Sequence, residues 1–327
     1  MKRLTLVLAI ALIAVAGCTS QPASTATPVP PTATPVPPTT TPVPPSGIPA
    51  STVAAPTPAY SVQVTKDVEY TAPLQPNVRA QKLDVYAPEQ PGLWPLVVFV
   101  PGYGAGKDTM ADVLYGKELA GRGAVVFVPN WRASMALESA KNNGVLWREA
   151  LEELTCAVRF ARARAVDYGG DPGWVTIVGG RSVGESLVQA LAGDSSEEWD
   201  QFAAARGGPP AQADCLVSEG SAQVDAYVAW GEAPTEMEFL KDKDPELWKL
   251  CSPIANFGKN PNLRVHLLRG AQDQRVSLER IAAFQQAMKA DGYDATLTAL
   301  AEGDDAPPWS GPAFEVFVQA ILDAARR

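Results

Sequence analysis

Histidine is almost missing: the 327 residues contain one, His266, together with four cysteines at positions 18, 156, 215 and 251. No two of these lie close enough in sequence for one loop to chelate zinc, which argues against a Cys/His metal site. Basic residues are also in short supply. The 27 Lys and Arg against 36 Asp and Glu give a formal net charge of -9. That balance argues against a nucleic-acid binder or one that grips anionic lipid through a basic surface, since both need clustered cations. The apolar run from Leu4 to Ala16 is shorter than the about 20 residues that a membrane-spanning helix requires. No motif implies a cofactor.

What is present begins with a leader. Met1, Lys2 and Arg3 form a basic start, the short apolar run follows, and Val15-Ala16-Gly17-Cys18 ends it. This resembles a bacterial lipoprotein signal, which implies removal of residues 1–17, lipidation of Cys18 and export to a membrane of the cell envelope. Residues 18–60 read as the lipidated Cys plus a spacer. The stretch from Thr19 to Tyr60 holds thirteen prolines and no charge, with Thr-Pro-Val-Pro-Pro repeated from Thr27, Thr34 and Thr41. Such a segment favours polyproline II and acts as a semi-rigid strut.

Residues 61–327 are long enough for one large α/β domain. Leu96 to Val100, Ala124 to Val128 and Val175 to Val178 are short apolar, β-branched runs, as expected of strands covered on both faces. Trp147, Leu151, Leu154, Val158 and Ala161 recur at helical spacing between them. Further strands are predicted at Val224 to Trp230, Arg264 to Leu268 and Ala295 to Leu300, with helices near 277–290 and 313–325. Alternation of strand and helix implies a mostly parallel sheet with helices on both faces. Ser61 to Thr71 and Arg79 to Tyr86 read as an antiparallel pair at its edge. Two insertions, about 193–222 and 232–250, flank the Val224 strand.

The strongest chemical signal stands where the third run ends. Val178-Gly179-Gly180-Arg181-Ser182-Val183-Gly184 is a strand entering a Gly-x-Ser-x-Gly turn ahead of a helical stretch. A nucleophile elbow has this form, with the Ser on a sharp turn and a helix N-terminus behind it to favour negative charge. Leu83-Asp84-Val85-Tyr86-Ala87-Pro88, Tyr168-Gly169-Gly170-Asp171-Pro172, Ser252-Pro253 and Gly270-Ala271-Gln272-Asp273 complete the pattern. Together they make the chain resemble the α/β-hydrolase superfamily, in its esterase and lipase branch of carboxylesterases and hormone-sensitive lipases. The resemblance implies an α/β-hydrolase fold, Ser182 as nucleophile and Asp273 as the acid that orients a base. It also implies an oxyanion hole made by the N–H of Val183 and by Gly102 or Tyr103 in Pro101-Gly102-Tyr103-Gly104, where the family carries a His-Gly-Gly type motif.

The base is the point of departure. Where the family places a His after the last strand, this chain reads Ala301-Glu302-Gly303-Asp304-Asp305-Ala306. Without a proton acceptor a serine hydroxyl is a weak nucleophile, and loss of the base costs up to about a millionfold in turnover. His266 falls inside a predicted strand about 13 Å short of its carboxyl end, which marks it as a sheet-face residue. Asp304 or Asp305 could accept the proton instead if crowding with a second carboxylate raised its affinity for one. Arg181 reads as an exposed elbow side chain that can pair with Glu185.

Cysteine usage fits an oxidising compartment. Cys156 falls off the main apolar stripe of its helix and is expected to bridge Cys215, leaving Cys251 buried and reduced. Trp199, Phe202, Met237, Phe239 and Trp248 in the insertions either line an acyl pocket or form a satellite core, and Trp309 is a further pocket candidate. The expected function is that of an envelope-anchored serine hydrolase of small carboxylic esters. The alternative is a hydrolase-fold protein that has lost turnover and binds a ligand or partner in the vestigial pocket.

Overall fold

A computed structural model of the chain describes residues 59–72, 81–102, 105–131, 145–180, 184–208, 215–232, 234 and 236–326. Eight strands make one sheet in the order β1-β2-β4-β3-β5-β6-β7-β8. They are β1 Val62–Glu69, β2 Lys82–Pro88, β3 Trp94–Val100, β4 Val125–Pro129, β5 Gly170–Gly180, β6 Ala226–Trp230, β7 Arg264–Gly270 and β8 Asp294–Leu300. β1 runs antiparallel to β2 and β2 antiparallel to β4, while every pair from β4 to β8 is parallel. The predicted antiparallel edge and parallel body are both present.

Among the described residues seven α-helices flank the sheet: α1 Met110–Gly121, α2 Val145–Arg164, α3 Gly184–Ala192, α4 Ser196–Ala205, α5 Pro245–Cys251, α6 Leu278–Ala290 and α7 Gly311–Ala325. Alternation along the strands divides them between two cores. Leu96, Val98 and Val100 of β3 pack with Leu154 and Val158 of α2, Leu187 and Leu191 of α3, and Ile281 and Phe284 of α6. Val97 and Phe99 of the same strand turn the other way, onto Tyr115 and Leu119 of α1 and Phe317 and Ile321 of α7. Each such buried aliphatic or aromatic side chain stabilises the fold by about 1.5–3 kcal/mol. The runs read as continuously apolar because both faces are covered.

The insertions build a third, smaller core. Trp199, Met237, Leu240 and Leu247 pack on Trp147 and Leu151, with Phe202 and Trp248 partly buried against them. The satellite-core reading therefore holds for these side chains. Phe239 stays partly exposed with Lys243 near its ring, and Trp309 is 64% exposed.

Cys156 and Cys215 are joined as a disulfide, and Cys251 is a free, buried thiol. Burial pushes the Cys251 thiol far above its ordinary range. Cys156 is fully buried within the main core rather than off the stripe. Cys215 pairs with Thr71 in an isolated antiparallel bridge, and Leu216 N donates to Tyr70 O at 3.1 Å. The end of the first insertion is thus pinned to α2 and to the chain just beyond β1.

Candidate active site

The carboxyl ends of β3, β5, β6 and β7 converge on one rim. β5 ends at Gly180 and α3 begins at Gly184, so a strand and a helix bracket the Gly-x-Ser-x-Gly turn. Arg181, Ser182 and Val183 lie outside the described residues, as do Tyr103 and Gly104 of the loop after β3. Gly102 is described: its amide N lies 3.9 Å from where a Cβ on Gly180 would be. Gly102, the described residue of the proposed oxyanion pair, therefore stands beside the end of the elbow strand.

That loop is tied down from beneath. Lys107 N donates to Asn130 Oδ1 at 2.9 Å, and Trp131 Nε1 donates to Pro101 O at 3.0 Å. The Lys107 ammonium is buried and reaches Asp67 at 2.9 Å, Asp84 at 3.1 Å and Asp108 at 3.0 Å. Burial works against its charge, but the three carboxylates prevail and hold it well above the usual lysine range. A buried cation left without these partners would be costly, so the cluster fixes Lys107 in place.

Asp273 follows β7 and is 5% exposed. Its Oδ1 accepts the backbone N–H of Arg275 at 2.8 Å and of Val276 at 3.0 Å. The buried Arg269 guanidinium braces the same turn, donating to Val276 O and Asp273 O at 2.7 Å each. Oδ2 is buried and accepts no hydrogen bond from any described residue. One carboxylate oxygen thus orients the group, while the other keeps its capacity to accept a proton donor.

The segment after β8, where the sequence lacks a histidine, crosses the same rim. Gln272 N donates to Gly303 O at 2.9 Å, and Trp230 Nε1 donates to Asp304 O at 3.0 Å. Pro307 comes within 3.2 Å of the Cβ position of Gly180, and Tyr115 OH donates to Pro308 O. Asp304 is exposed, with Oδ1 accepting Ala306 N at 2.9 Å. Asp305 is half-buried, 3.5 Å from the guanidinium of Arg275. The structure therefore brings Asp273 and Asp305 together through one residue, Arg275, whose amide serves the first and whose side chain pairs with the second. His266 sits inside β7, its Nε2 2.9 Å from Thr298 Oγ1 of β8. Burial lowers its proton affinity below the ordinary histidine value, and its place is on the sheet rather than the rim.

One polar group at the rim was not singled out from sequence. Tyr227 of β6 is fully buried and donates to Glu232, and its OH lies 3.0 Å from Ser186 Oγ of α3. Burial, then Glu232, pushes this phenol far above its usual range, so it remains a donor. Gly179 makes the room: a Cβ there would stand 2.4 Å from Tyr227 OH and 2.5 Å from Ser186 Oγ. The strand register pairs Gly180 with Trp230, so Glu232 stands two residues beyond the partner of Gly180. The only sequence signal was a Gly-Gly pair before the elbow and an acid just past the next strand.

No protein-family model and no curated protein matches the chain. Solved structures do resemble its fold. A truncated carbohydrate esterase from gut microbiota superposes with a TM-score of 0.61 at 19% identity, covering 84% of this chain and 99% of that one. A bifunctional GH43-CE protein of Bacteroides eggerthii gives 0.57 at 19% identity over 80% of this chain and 35% of its own. The butyrate-bound esterase Est2 of the planctomycete Thermogutta terrifontis gives 0.55 at 19% identity, over 79% of this chain and 92% of that one. With the strand order and directions above, these likenesses establish the α/β-hydrolase fold for this chain.

Proposed function

We propose that this chain is a serine hydrolase of carboxylic esters, lipid-anchored to the cell envelope through Cys18, with Ser182 as nucleophile and Asp273 as the acid of its site. The observation that carries the reading is the join between β5 and α3. A strand ending at Gly180 and a helix starting at Gly184 flank the Gly-x-Ser-x-Gly turn, and Asp273, with one oxygen unengaged, lies on the same rim. In this reading the Ser182 oxygen attacks the ester carbonyl, and the N–H groups of Val183 and of the loop at Gly102 and Tyr103 take the developing negative charge. The alcohol then leaves and water hydrolyses the acyl-serine. The solved neighbours described as esterases support small esters as the substrate class.

The serine proton needs an acceptor, and no described residue on the rim is a histidine. Asp304 and Asp305 are the candidates in the segment where the family has one. Asp305 is half-buried and paired with Arg275, whereas Asp304 is exposed. A basic group carried by the substrate would meet the same need. The second reading, a binding protein on a hydrolase scaffold without turnover, is favoured by this one absence.

The full chain, with Ser182→Ala beside it, would be treated with a fluorophosphonate probe and a short-chain aryl ester from about pH 4 to about 9. The hydrolase reading expects labelling and hydrolysis that both vanish in the variant. Identical behaviour of the two proteins at every pH would leave the binding reading in its place.

A further inference from the structure

The opposite edge of the sheet, where β5, β6 and β7 begin, carries a second set of chemically matched side chains. Two clefts of about 290 and about 260 Å³ open there, and Trp174 lines both. The first is also lined by Arg162, Gln223, Asp225, Asn260 and Asn262. The second runs from Leu93 and Pro95 past Asp171 to Arg326.

Trp174 is held in one orientation. Its Nε1 donates to Ala324 O at 2.9 Å, and the Arg264 guanidinium lies 4.9 Å from the ring centre. Arg162 and Asp225 beside it are engaged with each other and with the backbone. Arg162 donates to Pro172 O and Gln223 O at 2.6 Å each and stands 3.6 Å from Asp225. Asp225 Oδ2 in turn accepts Val175 N at 2.7 Å. Asn260 is buried and fixes the floor by donating to Ala190 O at 3.0 Å and Val224 O at 2.8 Å. What the larger cleft offers a ligand is a fixed indole beside the carboxamides of Gln223 and Asn262, with the Arg162 guanidinium 3.6 Å from Asp225 and its Nε buried without a hydrogen-bond partner.

We propose that this edge binds a neutral oligosaccharide chain, with one sugar ring at Trp174 and its neighbours in the two clefts. A pyranose presents an apolar C–H face and a rim of adjacent hydroxyls. A fixed aromatic plane suits the first and costs little entropy on binding. Carboxamides carry a donor and an acceptor side by side, which suits the second. A polyanion would need a cation free of carboxylates, whereas the Arg162 guanidinium is paired with Asp225, and a hydrophobic ligand would need a lining with fewer polar side chains. At about 3.3 Å per residue, Val175 lies roughly 17 Å along β5 from Gly180. The edge therefore acts as a tether for a polysaccharide, separate from the ester site, and does not depend on how that site works.

The test is migration of the full chain, held in a sugar-free polyoxyethylene detergent, through native gels containing arabinoxylan, galactomannan, mixed-linkage β-glucan or polygalacturonate. Retardation by at least one neutral polymer is expected. It should weaken fivefold or more in Trp174→Ala and measurably in Asn262→Ala, a cleft change that removes no hydrogen bond within the fold. The far-UV circular dichroism of Trp174→Ala should match the parent chain and its thermal unfolding should stay cooperative, which shows that the variant is folded. No retardation by any neutral polymer, retardation by polygalacturonate alone, or binding unchanged in either variant would overturn the proposal.

Discussion

Gly270 and Gly303 meet backbone to backbone: a Cβ on Gly270 would lie 2.0 Å from the Gly303 carbonyl oxygen. The contact fastens the end of β7 to the segment after β8, and Gln272 N donates to that same oxygen. Asp273 is therefore positioned by a place where no side chain fits. Gly270→Ala is expected to force the two segments apart at a cost of about 1–3 kcal/mol. In a domain of this size that lowers Tm by roughly 2–4 °C for each kcal/mol. Ester hydrolysis should fall with it, because Asp273 moves. An unchanged Tm would show that the rim yields more easily than this contact implies.

The segment after β8 is where a base can be restored. Asp305 stands 3.5 Å from the Arg275 guanidinium, and the Arg275 amide is bonded to Asp273 Oδ1, so Arg275 links position 305 to the turn that holds Asp273. Asp305→His is expected to raise hydrolysis of a short aryl ester tenfold or more above the parent chain. The new activity should rise with pH through about 6.5 as the imidazole loses its proton. Asp304→His, made from an exposed position, is the control and should gain less. Equal rates in the parent and both variants would show that the segment cannot present a base to the serine.

The disulfide closes a loop of 59 residues between α2 and the end of the first insertion. Chain-entropy arguments assign a cross-link of that span about 4 kcal/mol. Replacing Cys156 and Cys215 together by Ala should lower the denaturant midpoint accordingly, while Cys251, buried at 0% exposure, stays unreactive to thiol reagents until the protein unfolds. Rapid labelling of Cys251 in the native double variant would mean that the bridge also holds the satellite core shut.

The parallel sheet was legible because its strands are covered on both faces, which leaves continuous apolar runs such as Leu96 to Val100. The elbow context was legible for the same reason, being a strand followed at once by a helix. α1 was not. Its buried face mixes Asp112 and Gly116 with Tyr115, Leu119 and Ala120, which blurs the apolar stripe, and Gly116 admits the Tyr86 ring to within 2.6 Å of the Cβ position. α4 was also missed, hidden inside an insertion and seated through Trp199 alone among its fully buried residues. The rim around Asp273 escaped notice because its order comes from main-chain contacts between distant loops, which leave no pattern in composition. Glu232 and Tyr227 became a pair only once their side chains were seen to meet in the space that Gly179 leaves.

Asp112 gives a pH test that does not involve the catalytic question. It lies in the first turn of α1, 5% exposed, and its Oδ2 is buried without a hydrogen-bond partner. Desolvation raises its pKa from 3.8 to about 7, with the Thr109 hydroxyl and the helix backbone opposing the rise. Tyr86 and Tyr115 are within electrostatic reach, and both phenols are pushed up by burial and remain neutral. The native state thus binds a proton at Asp112 that the unfolded chain releases above about pH 4. Its contribution to stability is fully present below 3.8 and is lost as pH rises through about 7, amounting to roughly 4 kcal/mol at most. Asp112→Asn keeps the shape and cannot ionise. The variant should match the parent at pH 4 and exceed it in Tm at pH 8, with the gap opening between those values. Other carboxylates titrate in both proteins and cancel in the difference. A gap that stays constant from pH 4 to pH 8 would mean that Asp112 is already ionised throughout, and that water reaches the oxygen which this structure leaves without a partner.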